Sequence, residues 1–247
     1  RRTFRARAGV VMAAGDYTNS AELIARFKGE RFSRVEGINP NSTGAGHLLC
    51  EAAGAQLLNM EITYGPELRF VPPQSKRTFQ QLLPSRGPLL RVMGRLLPLI
   101  PKPLMAAFVR RLLVTWQHPE DALFEDGAIL LNEEGRRFCD ERQTPEREIA
   151  IADQPQKRCY MLLDEALQAR YGEWPHFVST APKIAYAYVQ DYLRLRPDVA
   201  VSGTLEEVAR RRGLSEKRVR QSVDEVNVER GDTGVLAHLR GKRWVLL

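Results

Sequence analysis

The chain of 247 residues is 43% hydrophobic and 27% charged, enough apolar content to build one large core or two small ones, and it reads as a soluble globular protein rather than a disordered or fibrous one. Its 37 basic and 30 acidic residues leave a formal charge of +7. Arg1, Arg2, Arg5 and Arg7 supply four of those charges, so the remainder carries only +3 and lacks the imbalance of a dedicated nucleic-acid binder. Cys50, Cys139 and Cys159 form no CxxC pair and read as thiols of a reducing, cytoplasmic setting, and His47, His118, His176 and His238 are too scattered for a legible metal site. No run reaches the eighteen or so apolar residues of a spanning helix, and no signal peptide opens the chain. The start at Arg1, with an apolar segment within ten residues, reads as an internal piece of something longer.

Taken in chain order, Gly9 to Ala14 (GVVMAA) is an unbroken apolar run that predicts a strand buried on both faces, ending at Gly15. Asp16, Thr18, Asn19 and Ser20 offer cap oxygens for a helix over about 21–27, with Gly29 as its stop. The turn-forming run Asn39 to Gly46 leads into a helix over 47–53 stopped by Gly54, and a short strand is expected over 56–62. Between Pro66 and Pro103 the chain holds eight of its fifteen prolines, a composition shift that marks a domain boundary.

Farther on, residues 128–131 and 136–139 flank Asn132-Glu133-Glu134-Gly135 and predict a hairpin. Cys159 to Leu163 reads as a buried strand, with Asp164 heading a helix to about Tyr171, and Ile184, Tyr188 and Tyr192 share one face of a helix expected over 184–195. Thr204 and Glu207 form a capping box for a helix to Arg212, Gly213 stops it, and Ser215 caps a second helix to about Val228.

Three constellations have both a chemical and a structural reading. Thr43-Gly44-Ala45-Gly46 at a helix start either lets a phosphate reach exposed backbone N–H groups at the positive end of the helix dipole or simply caps a helix; Gly15, at a strand end, has the same two readings. The helix pair over 204–228 has the spacing of a helix-turn-helix. It carries seven basic against six acidic residues between 204 and 230, so the phosphate-facing excess of a DNA-binding module is missing. Leu89 to Val114 alternates leucines, Met93, Met105 and Phe108 with Arg91, Arg95, Lys102, Arg110 and Arg111, which suits either a peripheral membrane contact, an entrance for an apolar substrate, or a kinked helix pair with arginines turned outward.

Five segments in this order resemble the FAD-dependent oxidoreductase family of the fumarate reductase and succinate dehydrogenase flavoproteins and the ketosteroid dehydrogenases. They are GVVMAAGDY (Gly9 to Tyr17), STGAG (Ser42 to Gly46), EAAGAQLLNME (Glu51 to Glu61), GAILLNEEGRRFCDE (Gly127 to Glu141), and TLEEVARRRGL with VDEVN near the end. The fourth is the most specific. The resemblance implies an α/β fold with an α+β cap: 1–61 as part of a Rossmann-like FAD-binding domain, 62–229 as a fumarate-reductase-like cap over the substrate, and 230–247 returning to the first domain.

By the same resemblance FAD is the cofactor, with contacts from the backbone of Ala13, Ala14 and Gly15 and from Thr43, Gly44 and Gly46. The family's N-terminal GxGxxG and C-terminal glycine pair are not in this chain, so the piece alone is expected to bind FAD poorly. Arg137 and Glu141 are the candidate catalytic-site residues, expected as hairpin residues to brace the cap–flavin junction, and a tyrosine is the expected proton carrier. Asp16 stands where the family has a second Gly, Ala14 where it has Thr, and Ala45 where it has Asp. The proton-donating Arg that fumarate reductases carry past F-x-x-E has only Arg142-Gln143-Thr144-Pro145 in its place, and their His-Pro-Thr element only His118-Pro119-Glu120. These departures argue against a dicarboxylate, and the apolar, Pro-rich 66–115 segment favours a hydrophobic, steroid-like or enone substrate; the protein is expected to be cytoplasmic, soluble or peripheral to the membrane through 89–114, with no nucleic-acid partner.

Overall fold

The computed structural model describes residues 5–73, 88–233 and 236–247, and these fall into two compact units. The first comprises Arg1–Pro66 with Glu148–Lys157, and the second Glu67–Arg147 with Arg158–Leu247.

In the first unit, helix α1 (Ala21–Lys28) starts at Ser20, whose hydroxyl accepts from the Leu23 N–H, and ends at Gly29 with φ 105°. Such a cap contributes about 1 kcal/mol by satisfying an amide that the helix leaves over. The face it buries, Leu23 and Ile24, packs with Tyr17 and Met60 into a small core joined by Phe27, Phe32 and Leu57. Helix α2 (Ala45–Ala52) follows, and a two-point Arg26–Glu51 pair at 2.6 and 2.9 Å ties it to α1. Arg34 reaches Asp153 at 2.7 Å, fastening the 148–157 stretch to this unit.

Two strands expected here are not formed. Residues 9–14 and 56–62 are extended or turned without ladder partners, and Val10 and Val11 lie 77% and 92% exposed instead of buried. An apolar run becomes a strand only when another strand takes up its N–H and C=O groups, and no described segment does so for either. The Rossmann-like sheet is therefore absent among the described residues.

The second unit is built on a four-stranded antiparallel sheet of order β1-β2-β6-β5, with β1 (Ile129–Leu131), β2 (Tyr160–Leu163), β5 (Val201–Gly203) and β6 (Trp244–Leu246). Ile129 opposes Leu162, which in turn opposes Leu246, and Leu246 opposes Val201. All of β1 and β6 is buried; helices α5 (Glu165–Arg170) and α7 (Leu205–Arg211) pack on the sheet, and α8 (Glu216–Thr233) packs on α7. The segment 230–247, assigned by the resemblance to the first domain, thus ends in a strand of the second unit's sheet.

Local expectations hold well in this unit. Asp164 caps α5 by accepting from the Leu167 N–H, Thr204 and Glu207 close the capping box of α7, and Gly135 takes φ 81° in the turn after β1. The returning arm of that hairpin is a single bridge from Arg137 to Leu131 rather than a strand. The helix expected over 184–195 is instead a strand followed by a shorter helix: β3 (Ser179–Ala181) and β4 (Ala185–Ala187) form a second hairpin, and α6 (Val189–Leu195) begins only after Tyr188. Lys183 turns the hairpin at φ 64°, and the i, i+4 spacing of Ile184 and Tyr188 is incidental, since Ile184 lies exposed in the turn.

Before this hairpin come α3 (Pro88–Leu96) and α4 (Lys102–Trp116), and α4 packs on β3, β4 and α6. Arg196 closes that corner. Its Nη1 donates to the Val114 carbonyl and its Nη2 to that of Val71, both at 2.7 Å, capping the end of α4 while Asp198 neutralises it.

Candidate functional site

The chain offers two candidate subsites, one in each unit. In the first, the two glycine motifs singled out in the sequence lie side by side. The Gly44 N–H donates to the Asp16 carbonyl at 3.1 Å and the Asn19 N–H to the Ser42 carbonyl at 2.8 Å, so residues 14–19 run along the loop that opens α2. A Cβ on Gly46 would lie 2.7 Å from that of Ala14, and one on Gly44, which has φ 70°, would lie 2.2 Å from a Leu23 methyl and 2.8 Å from the Tyr17 Cβ. Both glycines are buried. Their small size serves the approach of two chain segments, so the side each leaves open is filled by protein and not by a ligand.

What the loop presents outward is backbone. Ala13, Ala14, Gly15 and Thr43 are exposed, Gly15 has φ 82° with open space where a Cβ would point, and no side chain caps α2. Helix geometry leaves the N–H groups of Ala45, Gly46 and His47 without intrahelical acceptors. The His47 Nδ1 is buried without a hydrogen-bond partner beneath an edge-on contact with Tyr17. These groups fit a ligand that accepts hydrogen bonds from main-chain amides, as the resemblance expects of FAD. The neighbouring Asp16 carboxylate accepts from both the N–H and the hydroxyl of Thr18, which, with help from Ser42 and His47, holds its pKa below the ordinary value. A fixed negative charge at this corner favours an uncharged part of a ligand over a phosphate.

In the second unit, Arg137 and Glu141 come together on the chain that leaves the β1 hairpin. The Glu141 carboxylate is 3% exposed; it accepts from the Leu130 N–H at 2.8 Å, from the Arg137 Nε at 3.0 Å and from its Nη2 at 2.8 Å. The remaining Arg137 nitrogen reaches Glu229 on α8 at 2.7 Å, and the Arg137 N–H donates to Ser222. Burial opposes the Arg137 charge, but the hydrogen bonds and charge of Glu141, then Glu229, outweigh it and raise its pKa. Arg147 donates to the Glu141 carbonyl and pairs with Asp121, and Arg230 donates to the Gly127 carbonyl. Arg137, Glu141, Glu229 and Arg230 line a cavity of about 70 Å³ with Phe124 and Val226. Both lone-pair sets of Glu141 are engaged, so the pair is a brace between β1 and α8 and not a free acid or base.

The hydroxyls of three of the seven tyrosines are committed to the protein. Tyr17 donates to the Met60 carbonyl, Tyr171 to Asp126 at 2.7 Å, and Tyr192 shares a hydrogen bond with Ser179 at 2.9 Å. Burial, then the bond to Asp126, pushes the Tyr171 hydroxyl above its ordinary pKa. Tyr64, Tyr160, Tyr186 and Tyr188 remain as candidates for moving a proton. The sequence did not single out Glu120, whose pKa burial and then Asp121 raise; only its place in His118-Pro119-Glu120 hinted at it. Among the described residues no cluster of His, Cys, Asp and Glu is arranged to hold a metal.

Known structures bear on the fold that carries these subsites. No family model and no curated protein matches the chain. Solved structures do: the open conformation of a flavocytochrome c3 fumarate reductase superposes with a TM-score of 0.53 over 95% of this chain at 16% identity. A 3-ketosteroid Δ1-dehydrogenase from Sterolibacterium denitrificans, in complex with 1,4-androstadiene-3,17-dione, does so with 0.50 over 98% at 15%. The chain has the fold of these proteins. It spans 33% and 41% of their lengths, and the GAILLNEEGRRFCDE segment that most strongly suggested this fold forms β1, its turn and the Arg137–Glu141 brace.

Proposed function

We propose that the protein belongs to an FAD-dependent dehydrogenase or reductase acting on a carbon–carbon bond next to a carbonyl, with a hydrophobic, steroid-like or enone substrate. The observation that carries this reading is the convergence of Ala14-Gly15 with the uncapped start of α2 in a chain of this fold. When bound, FAD would supply the hydride acceptor or donor. The backbone of Ala13, Ala14, Gly15 and Thr43 would hold it, while Gly44 and Gly46 act from behind by keeping the two loops in contact. Arg137 and Glu141 position the hairpin, and one of the four uncommitted tyrosines would move the proton that matches the hydride.

An apolar substrate agrees with the leucine-rich 88–116 stretch and with Arg142, which is engaged by Asp140 instead of being free for a dicarboxylate. The fold alone is equally compatible with a fumarate or succinate substrate, and the same assay decides. Against the DNA-binding alternative at 204–228 stands its charge: Arg210 pairs with Glu216 at 3.0 Å, Arg218 with Glu134 at 2.9 Å, and Arg220 with Glu206.

The test is the visible spectrum of the protein purified from its complete reading frame, with anaerobic bleaching by saturated ketones and reoxidation by enones, fumarate as the rival. Flavin bands that respond to a ketone or enone support the reading, a response to fumarate or succinate alone replaces the substrate class, and a colourless protein indifferent to added FAD refutes it.

A further inference from the structure

We propose that the α3–α4 face of the second unit docks on an anionic lipid bilayer. This inference is independent of the flavin reading.

A fifteen-residue helix with an apolar stripe at i, i+3, i+4 and i+7 ordinarily turns that stripe to a core. In α4 the apolar Leu104, Ala107 and Phe108, joined on the same face by Arg111, are exposed, and the opposite side, with half-buried Val109 and buried Leu113, packs on β3, β4 and α6. The helix is thus apolar on both sides, and its inner one already satisfies the core. The exposed leucines continue backward along the chain: Leu104 is 62% exposed, Leu99 74% and Leu96 52%. Throughout α3 every residue whose side chain is described is exposed except Met93.

The charge around these leucines is of one sign. No acidic residue stands between Glu67 and Glu120, while nine Arg and Lys do. Of these, Arg91, Arg95, Lys102 and Arg111 are exposed on α3 and α4, whereas Arg110 turns inward to the Tyr186 carbonyl at 3.1 Å. Elsewhere on this unit several arginines are answered by carboxylates, as Arg210 is by Glu216 and Arg218 by Glu134. Exposed leucines set among basic side chains with no acid near them in sequence match a surface that is apolar within and negative at its rim. A bilayer with anionic headgroups is such a surface, a second copy of this positively charged face is not, and α4 is too short to cross one.

The experiment is sedimentation of the full chain with phosphatidylcholine vesicles made with and without phosphatidylglycerol, at low and high salt. We expect pelleting with the anionic vesicles only, weakened by salt. The triple variant Arg91→Gln/Arg95→Gln/Arg111→Gln should lose about fivefold in partition for each charge removed, and Leu99→Ser/Leu104→Ser at least about tenfold at any salt. The two variants act on independent contributions, so a leucine pair that fails to fold, as judged by circular dichroism, leaves the charge variant to decide. Absence of pelleting with anionic vesicles overturns the proposal. So does equal pelleting of wild type and the charge variant, or a dimer in sedimentation velocity that the leucine variant dissolves without any change in lipid binding.

Discussion

Replacing Glu141 by Ala tests whether the brace between β1 and α8 is structural. The substitution strands two groups at once. The Leu130 N–H, in a fully buried strand, loses its acceptor at 2.8 Å, which costs about 1–3 kcal/mol. Arg137 loses both arms of its two-point pair while keeping Glu229, and breaking a buried pair on one side costs about 3–5 kcal/mol. The two losses share one carboxylate and do not add, so about 4 kcal/mol is expected, or roughly a 10 °C fall in Tm for a unit of this size. Glu141→Gln keeps an acceptor for Leu130 and should cost about half as much. Arg137→Met/Glu141→Leu, which removes both charges, should be milder than either charge removed alone. Thermal unfolding followed by circular dichroism reads all three. A Tm within about 2 °C of wild type for Glu141→Ala, or a double variant worse than both single ones, would refute the account.

Other consequences are measurable on the same protein. Gly44→Ala places a Cβ at φ 70° and 2.2 Å from the Leu23 methyl, so the first unit should lose about 2–3 kcal/mol, whereas Gly15→Ala, with open space before it, should cost about 1 kcal/mol through its backbone alone; equal melting curves for the two would sink the distinction. Burial, aided by Glu141, pushes the Cys139 thiol up to about 12, and burial does the same for Cys159. Near pH 8 each should hold roughly a thousandfold less thiolate than an ordinary cysteine, so iodoacetamide labelling read by mass spectrometry should leave both unmodified long after a small-peptide thiol has reacted. The Asp198 and Asp16 carboxylates titrate below the ordinary range, the first through its hydrogen bonds from Arg196 and the second through Thr18. Their folded pKa values lie below the unfolded ones, so their contribution is complete above about pH 4 and is lost as pH falls through the lowered values. Chemical denaturation between about pH 5 and about pH 2 should show that decline, and a flat profile would contradict it.

How much of this was legible in the sequence depends on what fixes each element. Ser20, Asp164 and Thr204 act on amides three residues away, so α1, α5 and α7 could be placed from their caps alone. The turn at Asn132 to Gly135 is equally local: the Asn132 side chain accepts from the N–H groups of Glu134 and Arg136, and Gly135 supplies the positive φ. The misreadings all concern pairing. Residues 9–14 have the composition of a buried strand, but composition cannot provide the neighbour a strand needs, and 184–187 went to a hairpin because Ala181 and Thr180 were available opposite them. Strands β5 and β6, three residues each, carry too short a pattern to stand out, and only their mutual register with β2 makes them a sheet.

The same distinction separates the two subsites. Arg137 and Glu141 were visible as hairpin residues because they lie four apart on one segment, but their partners Leu130, Ser222 and Glu229 are contributed by other elements, and it is these that saturate the pair and fix what it braces. Gly44 and Gly46 admit two readings from sequence, ligand approach or packing, and the contacts of Leu23, Tyr17 and Ala14 choose packing at both glycines while leaving the adjoining backbone exposed. On the proposed flavin reading, the cofactor contacts in this unit would come from the exposed peptide groups at Ala13 to Gly15 and Thr43. A site of that kind would offer main-chain hydrogen bonds whatever side chain stands at positions 16 and 45, so Ala45 in place of the family's Asp removes none of them, while the Asp16 charge restricts which part of a ligand it would face.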